Sequence, residues 1–143
     1  MDCYTPLANK RLSLTHTDAE WEYAARGGKH QSPFEYSGSD DIDSVAWYGS
    51  NSNSRTHPVK RLKRNALGLY DMSGNVWEWC NDWYGESDLK EIQNPRGEEK
   101  GSSRVIRGGS WSNSSSLCRV SYRLSVNPSD CNDNIGFRCV RYD

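Results

Sequence analysis

The sequence predicts an α+β domain, loop-rich, with short strands and few helices. Three observations carry that prediction. Six Trp and eight Tyr among 143 residues supply large apolar area per side chain, so a core can close although only 34% of residues are hydrophobic. The mean hydropathy of -0.92 leaves no long apolar period of either kind. One segment alone, DAEWEYAAR, reads as a helix, whereas VAWY, WEWCNDW, RVIR and IGFRCVR are short strand-like runs parted by Gly, Asn and Ser. The length suits one domain, residues 1–143.

Residues 1–14 are irregular. Thr17 then offers an N-cap, with Glu20 three positions on to complete a capping box. In Asp18–Arg26, Trp21, Ala24 and Ala25 fall at i, i+3 and i+4 and share one face. Gly27–Gly28 ends the helix. Residues 29–44 read as a polar surface loop and Val45–Tyr48 as a short strand or buried turn. His57 precedes a proline, so His57–Val59 is extended. Trp77, Trp79 and Trp83 nearly alternate, as in a half-buried strand. Residues 85–101 form a long exposed loop. Arg104–Arg107 is a strand stopped by Gly108–Gly109, and Arg119–Arg123 is a candidate second strand before a loop at 124–134. Ile135–Arg141 is the last strand, with Ile135, Phe137 and Cys139 on one face and Arg138 on the other. Trp21, Trp77, Trp79, Trp83, Trp111 and Phe137 form the expected core.

The net charge of -1 and pI near 6.3 point to neither nucleic acid nor an anionic membrane as partner. No run is apolar enough to insert into a bilayer, and Met1–Lys10 has no signal-peptide core; the compartment is open. Five cysteines without a CxxC pair, and scattered His16, His30 and His57, make neither a disulfide framework nor a zinc site.

Four blocks in order, DAEWEYAARGG, NALGLYDMSGNVWEWCNDWY, RVIRGGSW and NIGFRCV, resemble the formylglycine-generating enzyme (sulfatase-modifying factor) family and span Asp18–Val140. The resemblance implies that family's variant of the C-type lectin fold. Its enzymes oxidise a substrate cysteine with copper on two cysteines shortly after GGS[YW], and soft thiolates suit Cu(I). Asn113 stands where the first of these would be. Cys118 matches the second by spacing, or else belongs to a following strand (CRVSYR). With at most one thiol, no copper and no enzyme are expected.

The chain is also similar to the family's variable proteins, in which a diversity-generating retroelement randomises a binding surface between RGGSW and IGFR. Residues 112–133 are the candidate variable region. Ser112–Leu117, Leu124–Asn127 and Ser129–Asp133 lack Lys, Glu, Gln, Met and Trp, as expected where adenines in asparagine codons are randomised. The implied ligand-binding residues are Trp111, Ser112, Asn113, Ser114, Leu117, Tyr122, Leu124, Val126, Asn127, Ser129 and Asn132, small adaptable polar groups around aromatic anchors. Their partner is an unidentified protein or cell-surface ligand. The alternative is a formylglycine-type oxidase or a degenerate, catalytically silent interaction module. Cys118 and Cys131 are accidents of variation or a local bridge.

The resemblance further implies a structural Ca²⁺ on Asp71, Gly74, Val76 and Glu78, two carboxylates and two carbonyls at a tight turn; the opposing reading has Asp71 capping the turn and Glu78 paired with an arginine. Arg107, Arg123 and Arg138 are expected to pair with Asp82 or Glu78.

Overall fold

The computed structural model describes residues 12–13, 15–30, 33–85 and 100–141. In chain order they form β1 (Leu12–Ser13), α1 (Asp18–Ala25), β2 (Ala46–Trp47), β3 (Ser73–Gly74), β4 (Trp77–Trp83), β5 (Arg104–Arg107), β6 (Arg123–Val126), β7 (Ile135–Gly136) and β8 (Val140–Arg141). Short 3-10 turns occupy Gly28–His30, Ile42–Ser44 and Ser115–Cys118. The expected exposed loop at 85–101 and irregular start at 1–14 fall mostly outside these residues.

Helix α1 begins as the sequence predicts. The Thr17 hydroxyl accepts from the Glu20 amide at 3.2 Å, and the Thr17 amide donates to the Glu20 carboxylate at 2.8 Å. Trp21 and Ala25 are buried, and Gly27 leaves the helix at φ +92°. The loop that follows is less polar in function than in composition: Tyr36 and Ser37 are buried, and the Ser37 hydroxyl donates to the Ala25 carbonyl at 2.7 Å.

The main sheet runs β6-β5-β4-β7, with β4–β5 and β5–β6 antiparallel and β4–β7 parallel. Strand β4 differs from its reading as half-buried. Residues 77–80 and Asp82 are all buried, and Asn81 is the exposed one. One face carries Trp77 and Trp79, packed with Ile106. The other carries Cys80, which joins Trp21, Ala25, Met72, Val105 and Val120 under α1, together with Glu78 and Asp82. Alternation of apolar and acidic residues suggested a wet face; instead an ion pair lets Glu78 be buried, and the Asp18 amide meets the buried Asp82 carboxyl.

Three arginines make ion pairs around this face. Arg138 and Glu78 pair as expected. Arg107 and Arg123 do not pair with Asp82; both bind Asp18, and Arg107 also reaches Glu22 at 2.7 Å. Arg107 is only 2% exposed, and its guanidinium also donates to the carbonyls of Val120 (2.9 Å) and Tyr122 (3.0 Å). The start of α1 is thereby fastened to β5 and to the chain entering β6.

Two strand expectations are corrected. The strand after β5 is Arg123–Val126, not Arg119–Arg123. Its register sets Arg123 opposite Arg107 and Val126 opposite Arg104, while residues 119–122 form a turn held by the Arg107 guanidinium. The last strand is broken into β7, beside β4, and β8, beside β1. Between them Arg138 turns inward to Glu78, so Phe137 points outward and is 61% exposed. A single strand would have required the reverse, and the buried carboxylate decides it. Phe137 is therefore not core. Trp83 and Trp111 are half-buried rather than central.

Candidate binding surface

Of residues 112–133, Val120 packs under α1, whereas Leu117, Tyr122 and Val126 lie over the Trp77 and Trp79 face of the sheet. Trp77, Trp79 and Ile106 make its floor, and half-buried Leu117, Tyr122, Val126 and Ile135 pack on that floor. The Tyr122 and Trp77 rings lie 6.2 Å apart at 45°. Leu124, paired with Ile106 in register, shares this side and is 36% exposed. Leu117, Tyr122, Leu124 and Val126, scattered in sequence, thus form one apolar surface with their lower halves anchored in the core. Exposed Ser112, Ser114, Asn127, Ser129 and Asn132 supply hydroxyl and amide groups on the same stretch of chain.

A rigid frame holds the entry to this stretch. Asn75, at φ +65°, donates its amide to the Trp47 carbonyl (2.7 Å) and accepts from the Trp111 amide (2.9 Å). Its side chain bonds both backbone groups of His57, whose ring stacks on Trp47 at 3.9 Å. The Trp111 carbonyl accepts from the Ser52 hydroxyl at 2.7 Å, and the Asn113 carbonyl from the Gly49 amide at 2.8 Å. The Asn113 side-chain oxygen is taken by the Ser110 hydroxyl at 2.6 Å. The backbones of Trp111 and Asn113, and the Asn113 side chain, are thus held by this frame, and both residues are half-buried. Asn134 closes the far end by donating to Ser112 Oγ at 3.3 Å. Ile135 and the two-Trp floor were not read as part of the surface; their spacing from Leu117 in sequence hides the contact.

Gly109 fixes the 3-10 turn at Ser115–Cys118. Its φ is +74°, and a Cβ there would lie 2.6 Å from Cys118 Sγ and 3.0 Å from the Leu117 carbonyl. Cys118 is fully buried and free. Burial pushes its thiol up to about 12, partly offset by the backbone of Gly74 and Ser110. It packs with Tyr36, Val45 and Ala46. Cys131 is disulfide-bonded, so it and the free Cys118 do not bridge each other.

The implied calcium set does not fit a cation as arranged. Both Glu78 oxygens are engaged by Arg138, at 2.7 and 3.1 Å, and Oε2 also accepts from Trp21 Nε1 at 2.8 Å. Burial works against the Arg138 charge, and Glu78, with Asp71 behind it, more than offsets that, so the cation on the Glu78 carboxylate is a guanidinium. Asp71, at φ +57°, accepts from the Lys60 amide at 2.9 Å. Among the described residues, no three His, Cys, Asp or Glu side chains cluster as metal ligands, and no helix is long and apolar enough to cross a membrane.

One known family and three known proteins are similar to this chain. A family model described as the sulfatase-modifying factor enzyme 1-like domain matches residues 2–142. Among curated proteins, the serine/threonine-protein kinase pkn1 of Chlamydia caviae is 41% identical over 96% of this chain and 22% of its own length. The formylglycine-generating enzyme of Streptomyces coelicolor is 37% identical over 96% of this chain and 48% of its own. Among solved structures, Treponema denticola variable protein 1 superposes with a TM-score of 0.83 at 43% identity, over 92% of this chain and 48% of that one. The chain thus spans about half or less of the length of these relatives.

Proposed function

The chain belongs to the sulfatase-modifying factor enzyme 1-like domain family, and on that premise we propose that it is a non-enzymatic binding domain whose residues 112–133 form a diversified ligand surface. One observation carries the reading. Leu117, Tyr122, Leu124 and Val126 converge on the Trp77–Trp79–Ile106 floor, giving an apolar, partly exposed centre on a stretch rich in Ser and Asn. A large apolar centre with an adaptable polar border is the composition of a protein-recognition surface, and the rigid frame beneath it lets surface residues change without loss of fold. The likeness to a solved variable protein supports the same assignment. The ligand is an unidentified protein or cell-surface group.

The oxidase reading has support in the identity to formylglycine-generating enzymes. Against it stands the chemistry of the thiols. Asn113 is bonded to Ser110, and Cys118 is a buried, strongly protonated thiol without a thiol neighbour among the described cysteines. A Cu(I) site needs soft thiolates.

Sequencing the DNA beside the gene tests the proposal. A near-copy of the codons for residues 104–138, differing mainly at adenines and accompanied by a reverse-transcriptase frame, is the expected result. Its absence, together with copper binding and turnover of a cysteine-containing peptide, would give the chain back to the oxidases.

A further inference from the structure

The net charge of -1 conceals a strong local separation. Residues 55–64 (RTHPVKRLKR) hold Arg55, Lys60, Arg61, Lys63 and Arg64 with no acidic residue, so the rest of the chain carries -6. All five cations are exposed, and among the described residues none is in an ion pair, unlike Arg107, Arg123 and Arg138. Their backbone is nonetheless fixed. The His57 amide donates to Asn75, the Lys60 amide to Asp71 and the Lys63 amide to the Ser44 carbonyl, each at 2.9 Å. Asn65 Nδ2 donates to the Ala24 carbonyl at 2.8 Å. Pinned inward along its length, the segment turns its long side chains outward. Asp71 and Asp43 are the nearest acids by these attachments; the first already accepts from Lys60.

Apolar side chains accompany the charge. Val59 is 65% exposed and Leu67 47%. The turn carrying Lys29 sits against Leu67, since a Cβ on Gly28 would lie 3.0 Å from a Leu67 methyl. We propose that this face, Arg55 to Leu67 with Lys29, docks peripherally on an anionic lipid surface. The cations meet the headgroup phosphates, and Val59 and Leu67 enter the interfacial layer. A nucleic acid is the less suited polyanion: the aromatic rings of this segment's surroundings, Trp47 and His57, are stacked on each other rather than presented to bases. The cations are exposed and spread along ten residues of chain, which suits a diffuse lipid field better than a compact acidic epitope. None of these residues belongs to the 112–133 surface, so the proposal stands apart from the ligand reading.

Flotation of the intact chain with vesicles of mixed phosphatidylglycerol and phosphatidylcholine tests it, with phosphatidylcholine alone as control. Association is expected with the anionic vesicles only and is lost at high salt. The variant K60Q/R61Q/K63Q/R64Q should lower partitioning by roughly 600-fold, at about fivefold per cation, with an unchanged melt because all four side chains are exposed. V59S should weaken association while preserving its salt dependence. Equal binding to neutral vesicles, or a quadruple variant that floats like the parent, overturns the proposal. So does variant-sensitive binding to a single-stranded oligonucleotide without vesicle association, which would reassign the face to nucleic acid.

Discussion

Arg138 closes on Glu78 from β7's end of the sheet, with Nη2 2.7 Å from Oε1 and Nε 3.1 Å from both oxygens. Glu78 is 5% exposed, and its remaining bond is to the Trp21 indole. Removing Arg138 leaves a buried carboxylate without its counter-charge. Arg138→Met should therefore cost about 3 kcal/mol in a urea titration, and the double variant R138M/E78Q should recover part of that loss. A single variant as stable as the parent would show that the pair is not structural. Because Glu78 is already neutralised, a calcium chelator should leave the melting temperature unchanged.

Gly109→Ala should destabilise by about 1–3 kcal/mol, since the position needs φ +74° and a Cβ would strike Cys118. Adding Cys118→Ala removes the sulfur contact but not the clash with the Leu117 carbonyl or the backbone strain. Partial rescue in a thermal melt is expected, and full rescue would mean that the left-handed backbone costs nothing.

Asp82 lies buried beside α1 and accepts from the Asp18 amide at 2.7 Å. Burial raises its carboxyl to about 6, against which the Asp18 hydrogen bond works. Between roughly pH 4 and 6 the folded state therefore holds a proton that the unfolded state has lost, and this group's contribution to stability falls as pH rises through that window. His16, whose pKa burial lowers, acts oppositely, with stability lost as pH drops below its ordinary value. Asp82→Asn isolates the first effect. The variant should exceed the parent in stability at pH 7, by at most about 3 kcal/mol, with the gap vanishing below about pH 4. A gap independent of pH would remove the titration argument.

Thiol labelling should separate three cysteines by position. Cys139 is exposed and free, whereas Cys80 and Cys118 are buried and free, with both thiols raised by burial. In the native protein, peptide mapping after alkylation should find Cys139 modified and the other two protected until the chain unfolds. Rapid native labelling of Cys118 would reopen the case for an accessible, reactive thiol near Asn113.

By itself the sequence determined what depends on near neighbours. The capping box of Thr17 and Glu20, the helix face of Trp21 and Ala25, and the stop at Gly108–Gly109 rest on bonds a few residues long. The order of the four blocks determined the family, and with it the expectation that 112–133 is a surface. Tertiary structure alone decided which charges find one another. Asp18 took two arginines from 89 and 105 residues away, Glu78 took Arg138, and those pairings turned Phe137 outward, fastened β6 at Arg123 and let Glu78 be buried in β4. The physical reason is the cost of dehydrating a charge: it is met only by a specific partner at hydrogen-bond distance, and no periodicity along the chain records which partner that will be.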